Sequence, residues 1–393
     1  MSSPSRSIAP FLLLLFTGTL CSSMIVPFMG YFLVEELGQP RWIISLYTAL
    51  IVPLTIVTNK IFAKRLDQGS SAFPLVGVAI SGCLFASVSL SLSPTFLVTM
   101  TCGVMGYGIA SSAISTMFST GIQLADTLTI DRSRLNAYMR ATTSTAWMTG
   151  PALTFITADQ LGAEFVFQLC GGFALLWTLL WYAIFPRGSL RSPSKAAAGV
   201  EASSTPALWL AAAYIFCLST AHSITFTALP LFWVQEIGLP GYAPGTAFSV
   251  KTAVEIVAIF STPFLIRQFG LRLSLIGTTV FACVTIVVMS QITNIYQMWA
   301  AAAMEGIYYG LYASLGLSFI QSFTPNAPAR ATALYWNTVM VSGLAAGPVV
   351  GLIAQHYSFQ AAIQTAASLA VVALALIMIG SLRSQHETAP DQG

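Results

Sequence analysis

Charge is what this sequence most lacks: of 393 residues, 7% are Asp, Glu, Lys or Arg, where a soluble domain carries about 25%. That scarcity excludes a soluble enzyme and a disordered chain, since neither stays in water with so few charges. Histidine is also scarce, at three, and the six cysteines (Cys21, Cys83, Cys102, Cys170, Cys217 and Cys283) sit on different apolar stretches without ligand spacing. No disulfide and no metal site are expected. The sequence contains no G-x-x-x-x-G-K-[ST] phosphate loop and no H-E-x-x-H, which argues against ATP-driven transport by this chain alone and against a membrane metalloprotease. No cofactor is expected, and a formal charge of +3 is too small to point to nucleic acid.

What the chain has instead is apolar length: 56% hydrophobic residues and a mean hydropathy of +0.78. A helix needs about 20 apolar residues to cross a bilayer. Twelve such stretches occur, near 10–34, 42–62, 73–93, 95–118, 135–158, 165–185, 207–234, 245–266, 273–291, 296–320, 331–354 and 359–381. With the N-terminus inside, thirteen basic residues fall on inner connectors and only Arg41 on an outer one. Losing or adding one span would scramble that asymmetry, so both termini are predicted cytoplasmic. The opening MSSPSRSIAPFLLLLF has the look of a signal peptide, but its apolar run continues to about Val34 and reads as a retained first helix.

The longest hydrophilic stretch, Pro186 to Pro206, is rich in Ser, Ala and Pro and lies midway along the chain. It reads as a flexible cytoplasmic linker. The expected organisation is a six-helix half over 1–185, the linker over 186–206, a second six-helix half over 207–381 and a cytoplasmic tail over 382–393. The halves echo one another. Phe32, Val34, Glu36, Gly38 and Pro40 recur 200 residues later as Phe232, Val234, Glu236, Gly238 and Pro240, and Tyr138, Gly150 and Pro151 recur at 197 residues as Tyr335, Gly347 and Pro348. Two echoes at nearly one offset favour duplication over chance.

Four charged residues remain inside the stretches: Arg140, Lys251, Glu255 and Glu305. A charge near the bilayer centre costs a few kcal/mol or more, so such residues normally face water or a partner. Lys251 and Glu255 are four apart and share a helix face where they can pair. Either that pair is a static brace, or Glu255 exchanges a proton, with Lys251 or Arg140 setting its charge state. Glu305, beside Gly306 and Gly310, is a second proton-coupling candidate or a buried neutral acid. Arg140 lies near the inner end of its stretch, where its stem could also snorkel. Its counterpart under the repeat is Asn337. His222 could titrate near neutral pH or serve as a hydrogen-bonded core residue.

The 6+6 pattern with a long inner loop is similar to that of the major facilitator superfamily. Ala63, Lys64, Arg65, Asp67 and Gly69 keep part of that family's loop signature, with Ala63 and Gln68 departing from it. The stretches FLVEELGQPRWIISLYTALIV, AKRLDQG, YMRATTSTAWMTGPALTF, LPLFWVQEIGLP and TAVEIVAI more closely resemble the SET sugar efflux transporters of bacteria. That resemblance implies proton-coupled export of sugars or glycosides by alternating access, in a bacterial inner membrane, by a monomer with the proton gradient as energy source. One departure bears on coupling or substrate range: family members carry an acidic residue just before the proline of the seventh helix, and here it is Ala228.

A sugar needs donors and acceptors for its hydroxyls and a flat apolar wall. The candidates are Arg140, Asn337, Glu255 and His222 for the hydroxyls and Trp147 and Trp336 for the wall, with Trp233 a weaker one because it sits at a span end where interfacial aromatics gather. Arg65, Asp67, Gly150, Pro151, Gly347 and Pro348 are candidates for gating or bending, since a proline removes a helical hydrogen bond. Gly343, Gly347 and Gly351 are expected to form a smooth face for a neighbouring helix. The rival reading is a multidrug pump, whose cavity would have less need of Arg140 or Asn337.

Overall fold

The computed structural model of the chain describes residues 5–127, 132–185, 187, 206–323 and 328–386. Most of the expected linker and the end of the tail lie outside the described residues. Among the described residues the fold is all helical, in twelve segments. In the first half these are α1 (Ser5–Ile25, then Phe28–Tyr31 and a π-helical turn Phe32–Glu36), α2 (Ile43–Asp67), α3 (Ala72–Leu92), α4 (Phe96–Val98, Thr99–Gly103, Val104–Ala110 and Ser112–Thr127), α5 (Arg132–Leu161) and α6 (Ala163–Ile184). In the second they are α7 (Pro206–Leu231 and a π-helical turn Phe232–Glu236), α8 (Ala243–Phe269), α9 (Leu271–Met289), α10 (Ile295–Ser322), α11 (Pro328–His356) and α12 (Phe359–His386). Helices dominate because a chain in hydrocarbon must satisfy every backbone N–H and C=O internally.

Ten of these helices are apolar and long enough to span a bilayer by composition; α5 and α10 match them in length but are more polar. α5 carries a run of threonines with Arg140 and Asp159, and α10 carries Gln297, Glu305 and four tyrosines. Several helices also outrun their apolar stretches, α4 to Thr127 and α5 from Arg132. Polar residues continue a helix past the hydrocarbon edge, where apolar periodicity no longer marks it.

Contacts divide the chain into two units, Met1–Ser194 with Pro240–Ser249, and Lys195–Leu239 with Val250–Gly393. Within the first, α1 packs on α5 and α6, and α3 packs on α4 and α6. Within the second, α7 packs on α11 and α12, and α9 packs on α10 and α12, so the same pairings recur. α1 and α7 are the most enclosed helices, with 72% and 61% of their spanning windows buried, against 17% for α2 and 22% for α8.

The 200-residue echo has a structural cause. α1 and α7 both end in a π-helical turn, with Leu37 N–H donating to the Phe32 carbonyl (3.0 Å) and Ile237 N–H donating to the Phe232 carbonyl (3.1 Å). Gly38 and Gly238 follow with φ of +60° and +78°, a region where a side chain is strained. The turn places Trp233, 1% exposed, inside the second unit, so it is not an interfacial aromatic.

Gly150 and Pro151 form a crossing point in the first unit. A Cβ at Gly150 would strike Ser23 Oγ of α1, and one at Gly245 would lie 2.8 Å from the Pro151 carbonyl. Ser23 Oγ donates to the Ala146 carbonyl (2.8 Å) and Ser249 Oγ to the Met148 carbonyl (2.7 Å), so side chains supply hydrogen bonds on both sides of the gap left by the missing Pro151 N–H. In α11, Gly347 is buried and Pro348 half-buried. Gly343, expected to belong to a close-packed face, has open space instead: a Cβ there meets nothing within 4 Å. Gly150→Val should therefore destabilise the detergent-solubilised protein by about 1–3 kcal/mol, and Gly343→Ala should leave the melting temperature unchanged or raise it. Equal melting temperatures for Gly150→Val and the parent would contradict the packing.

Candidate functional site

Gly306 and Gly310, one turn apart on α10, let that helix lie directly on α8. A Cβ at Gly306 would strike the Lys251 carbonyl, and one at Gly310 would lie 2.6 Å from the Glu255 carbonyl. This near contact of backbones brings Glu305 to the stretch of α8 that carries Lys251 and Glu255. Lys251 is 6% exposed and Glu305 1%, and both stand well inside their 27- and 28-residue helices.

The pairing expected from the four-residue spacing is present: Lys251 Nζ is 3.1 Å from Glu255 Oε2. Among the described residues this is the one ion pair Lys251 makes; Glu305 stands on the facing helix, beyond ion-pair distance. The Lys251 ammonium lies 4.5 Å from the centre of the Tyr309 ring and 6.0 Å from that of Phe226, where ring quadrupoles favour a cation.

His222 of α7 completes the group. Its Nδ1 is 3.0 Å from Tyr308 Oη and 3.4 Å from Glu305 Oε1. The Tyr308 contact is a hydrogen bond, whereas Glu305 Oε1 has no partner in hydrogen-bonding geometry. The imidazole stacks on Tyr309 with centroids 3.8 Å apart and an interplanar angle of 17°. Farther along α7 and α10, Tyr312 Oη donates to the Ile215 carbonyl (3.1 Å) and lies 2.6 Å from Ser219 Oγ.

The second unit thus gathers His222, Lys251, Glu255 and Glu305. Tyr308, Tyr309 and Phe226 were missed from the sequence, although Tyr308 and Tyr309 follow Glu305 by three and four residues and so share its helix face. Asn337 and Trp336 are exposed on α11, Trp336 by 49%, and no contact described above runs through them. In the first unit Arg140 is exposed on α5 and Trp147 is half-buried. Arg65 is exposed at the end of α2, its carbonyl accepting from Ser70 N–H at 3.0 Å, and the side chain of Asp67 lies outside the described residues.

The cluster has the makings of a charge-balanced switch. With Lys251 charged, His222 neutral and both acids ionised, it carries one net negative charge, and one added proton makes it neutral. An isolated charge inside a membrane-spanning helix is costly, and the Lys251–Glu255 pair offsets that cost.

Comparison with known proteins agrees with this architecture. Residues 11–335 match the Major Facilitator Superfamily, and the chain belongs to that family. It is a multi-pass membrane transporter and not an enzyme. Among curated relatives, Sugar efflux transporter A of Escherichia coli (strain K12) is 25% identical over 377 residues, covering 94% of each chain. Sugar efflux transporter B of Salmonella typhimurium is 22% identical, covering 89% of this chain and 90% of its own. Of solved structures, the nucleoside transporter NupG superposes with a TM-score of 0.80 at 12% identity, covering 95% of this chain and 99% of its own. A bacterial homolog of the lysosomal transporter Spinster gives 0.78 at 13%, covering 97% and 98%.

If the Lys251–Glu255 pair is held as described, removing one partner should cost more than removing both. Lys251→Met should lower stability by about 1–3 kcal/mol, and adding Glu255→Gln should recover part of that loss. Thermal unfolding of the two single variants and the double variant measures the coupling, and simple additivity would contradict it.

Proposed function

We propose that this chain exports a sugar or a related small polar solute from a bacterial cell in exchange for protons, by alternating access, with both termini in the cytoplasm. The sugar class rests on the names of the curated relatives and on the stretches resembling SET transporters. The orientation rests on the thirteen-to-one distribution of basic residues in the connectors.

Support for proton coupling comes from the cluster of Lys251, Glu255, Glu305 and His222 in the second unit. Glu305 is the most enclosed of the two acids and has an oxygen without a hydrogen bond beside His222, so the Glu305–His222 pair is the proton carrier. Glu255, with 16% of its side chain exposed, is the more accessible acid. When the proton leaves, Lys251 has two anions to serve and loosens from Glu255, which then accepts a hydrogen bond from a sugar hydroxyl. When a proton returns, Lys251 and Glu255 pair again and the sugar is released. Proton and sugar therefore alternate, which is the rule an exchanger needs. Trp336 and Asn337, exposed in the same unit, supply a further aromatic face and hydrogen-bonding group for the solute.

Proteoliposomes test the reading. Glu305→Gln should abolish sugar efflux driven by an inward proton gradient while leaving a slower sugar exchange that no longer varies with pH. Undiminished proton-driven efflux in that variant would remove Glu305 from the mechanism. Exchange of a cationic dye without exchange of labelled mono- or disaccharides would overturn the sugar assignment in favour of a multidrug pump.

A further inference from the structure

The first unit contains a group of side chains that transport, as described, does not use. Cys21 of α1, Cys83 of α3 and Cys170 of α6 bring their three sulfur atoms within 4.8 Å of one another. All three are free thiols, 1%, 2% and 0% exposed. Sequence spacing does not register this grouping, because three separate helices carry the residues to one level. Cys21 Sγ lies 3.9 Å from the Cys170 carbonyl, and Cys170 Sγ lies 3.9 Å from the Cys21 carbonyl, so α1 and α6 cross at this point.

The dimensions suit a metal ion. Metal–sulfur bonds of about 2.3 Å around a three-coordinate ion set the sulfurs about 4 Å apart, so these need draw in by less than about 1 Å. Among the described residues no fourth His, Cys, Asp or Glu joins the group. An ion that demands a tetrahedral set is poorly served, whereas soft ions favour sulfur donors.

We infer that Cys21, Cys83 and Cys170 form a buried site for a soft monovalent metal ion of the copper(I) class, tying α1, α3 and α6 together. On binding, two thiols release their protons to water and the third remains a thiol. The set then passes from neutral to a single net negative charge, and no electrons are transferred. Loss of the third proton would add a second buried negative charge, which an apolar surrounding opposes.

The test uses the full-length protein, purified in detergent under anaerobic reducing conditions and titrated with Cu(I) against a colorimetric Cu(I) chelator. The expected result is one tightly held Cu(I) per chain, retained when Cys102, Cys217 and Cys283 are all replaced by alanine. Affinity should fall by roughly a hundredfold or more in Cys83→Ser and in Cys170→Ser. Cu(I) should raise the melting temperature of the alanine-substituted protein but not that of Cys83→Ser, a readout that also shows whether each variant is folded. Absence of Cu(I) binding would overturn the site, as would its loss with the three other cysteines. Finding four rather than six free thiols in the denatured anaerobic protein would instead show a disulfide within the cluster and equally overturn it.

Discussion

A lysine inside an apolar helical bundle must have its charge answered within the same packing layer. Lys251 is answered by Glu255 on its own helix and by the faces of two aromatic rings. Tyr309 reaches the ammonium only if α10 lies on the backbone of α8, and that requires hydrogen in place of a side chain at residues 306 and 310. Two glycines thus bring Glu305 and the Tyr309 ring up to the helix that carries the ammonium.

The two units use one helical frame and fill it differently. The helix pairings and the π-helical turns ending α1 and α7 recur. Yet Thr55, 200 residues before Glu255, is an uncharged residue that lies 3.0 Å from Ser111 Oγ. Where the second unit packs ionisable groups, the first packs aromatic rings and thiols: Phe28, Tyr31 and Phe155 meet edge to face at 5.3 to 5.9 Å. The scaffold is common to both units, and among the described residues the buried charges, Lys251 and Glu305, lie in one of them.

Much of the fold could be read from the sequence because a membrane demands long apolar helices. The Lys251–Glu255 pair was equally legible, since a four-residue spacing on one helix implies proximity. The rest depended on contacts between helices. Nothing near His222 in the sequence points to Glu305, 83 residues away, and the sulfurs of three distant cysteines meet only because α1, α3 and α6 converge. Trp233 looked interfacial by its position at a span end, but the π-helical turn carries it inward. Gly343 kept the four-residue spacing of a packing face with no neighbour to meet it. Helix ends extended past the apolar stretches because a helix outlasts the hydrocarbon that makes it conspicuous.

If a proton and a sugar compete for the charge balance around Lys251, adding sugar to the purified protein in weakly buffered detergent solution with a pH indicator should release protons. Acidification should saturate with sugar in the parent protein and be absent in Glu305→Gln. No proton release on saturation with a sugar shown independently to bind, or equal release by both proteins, would contradict that competition.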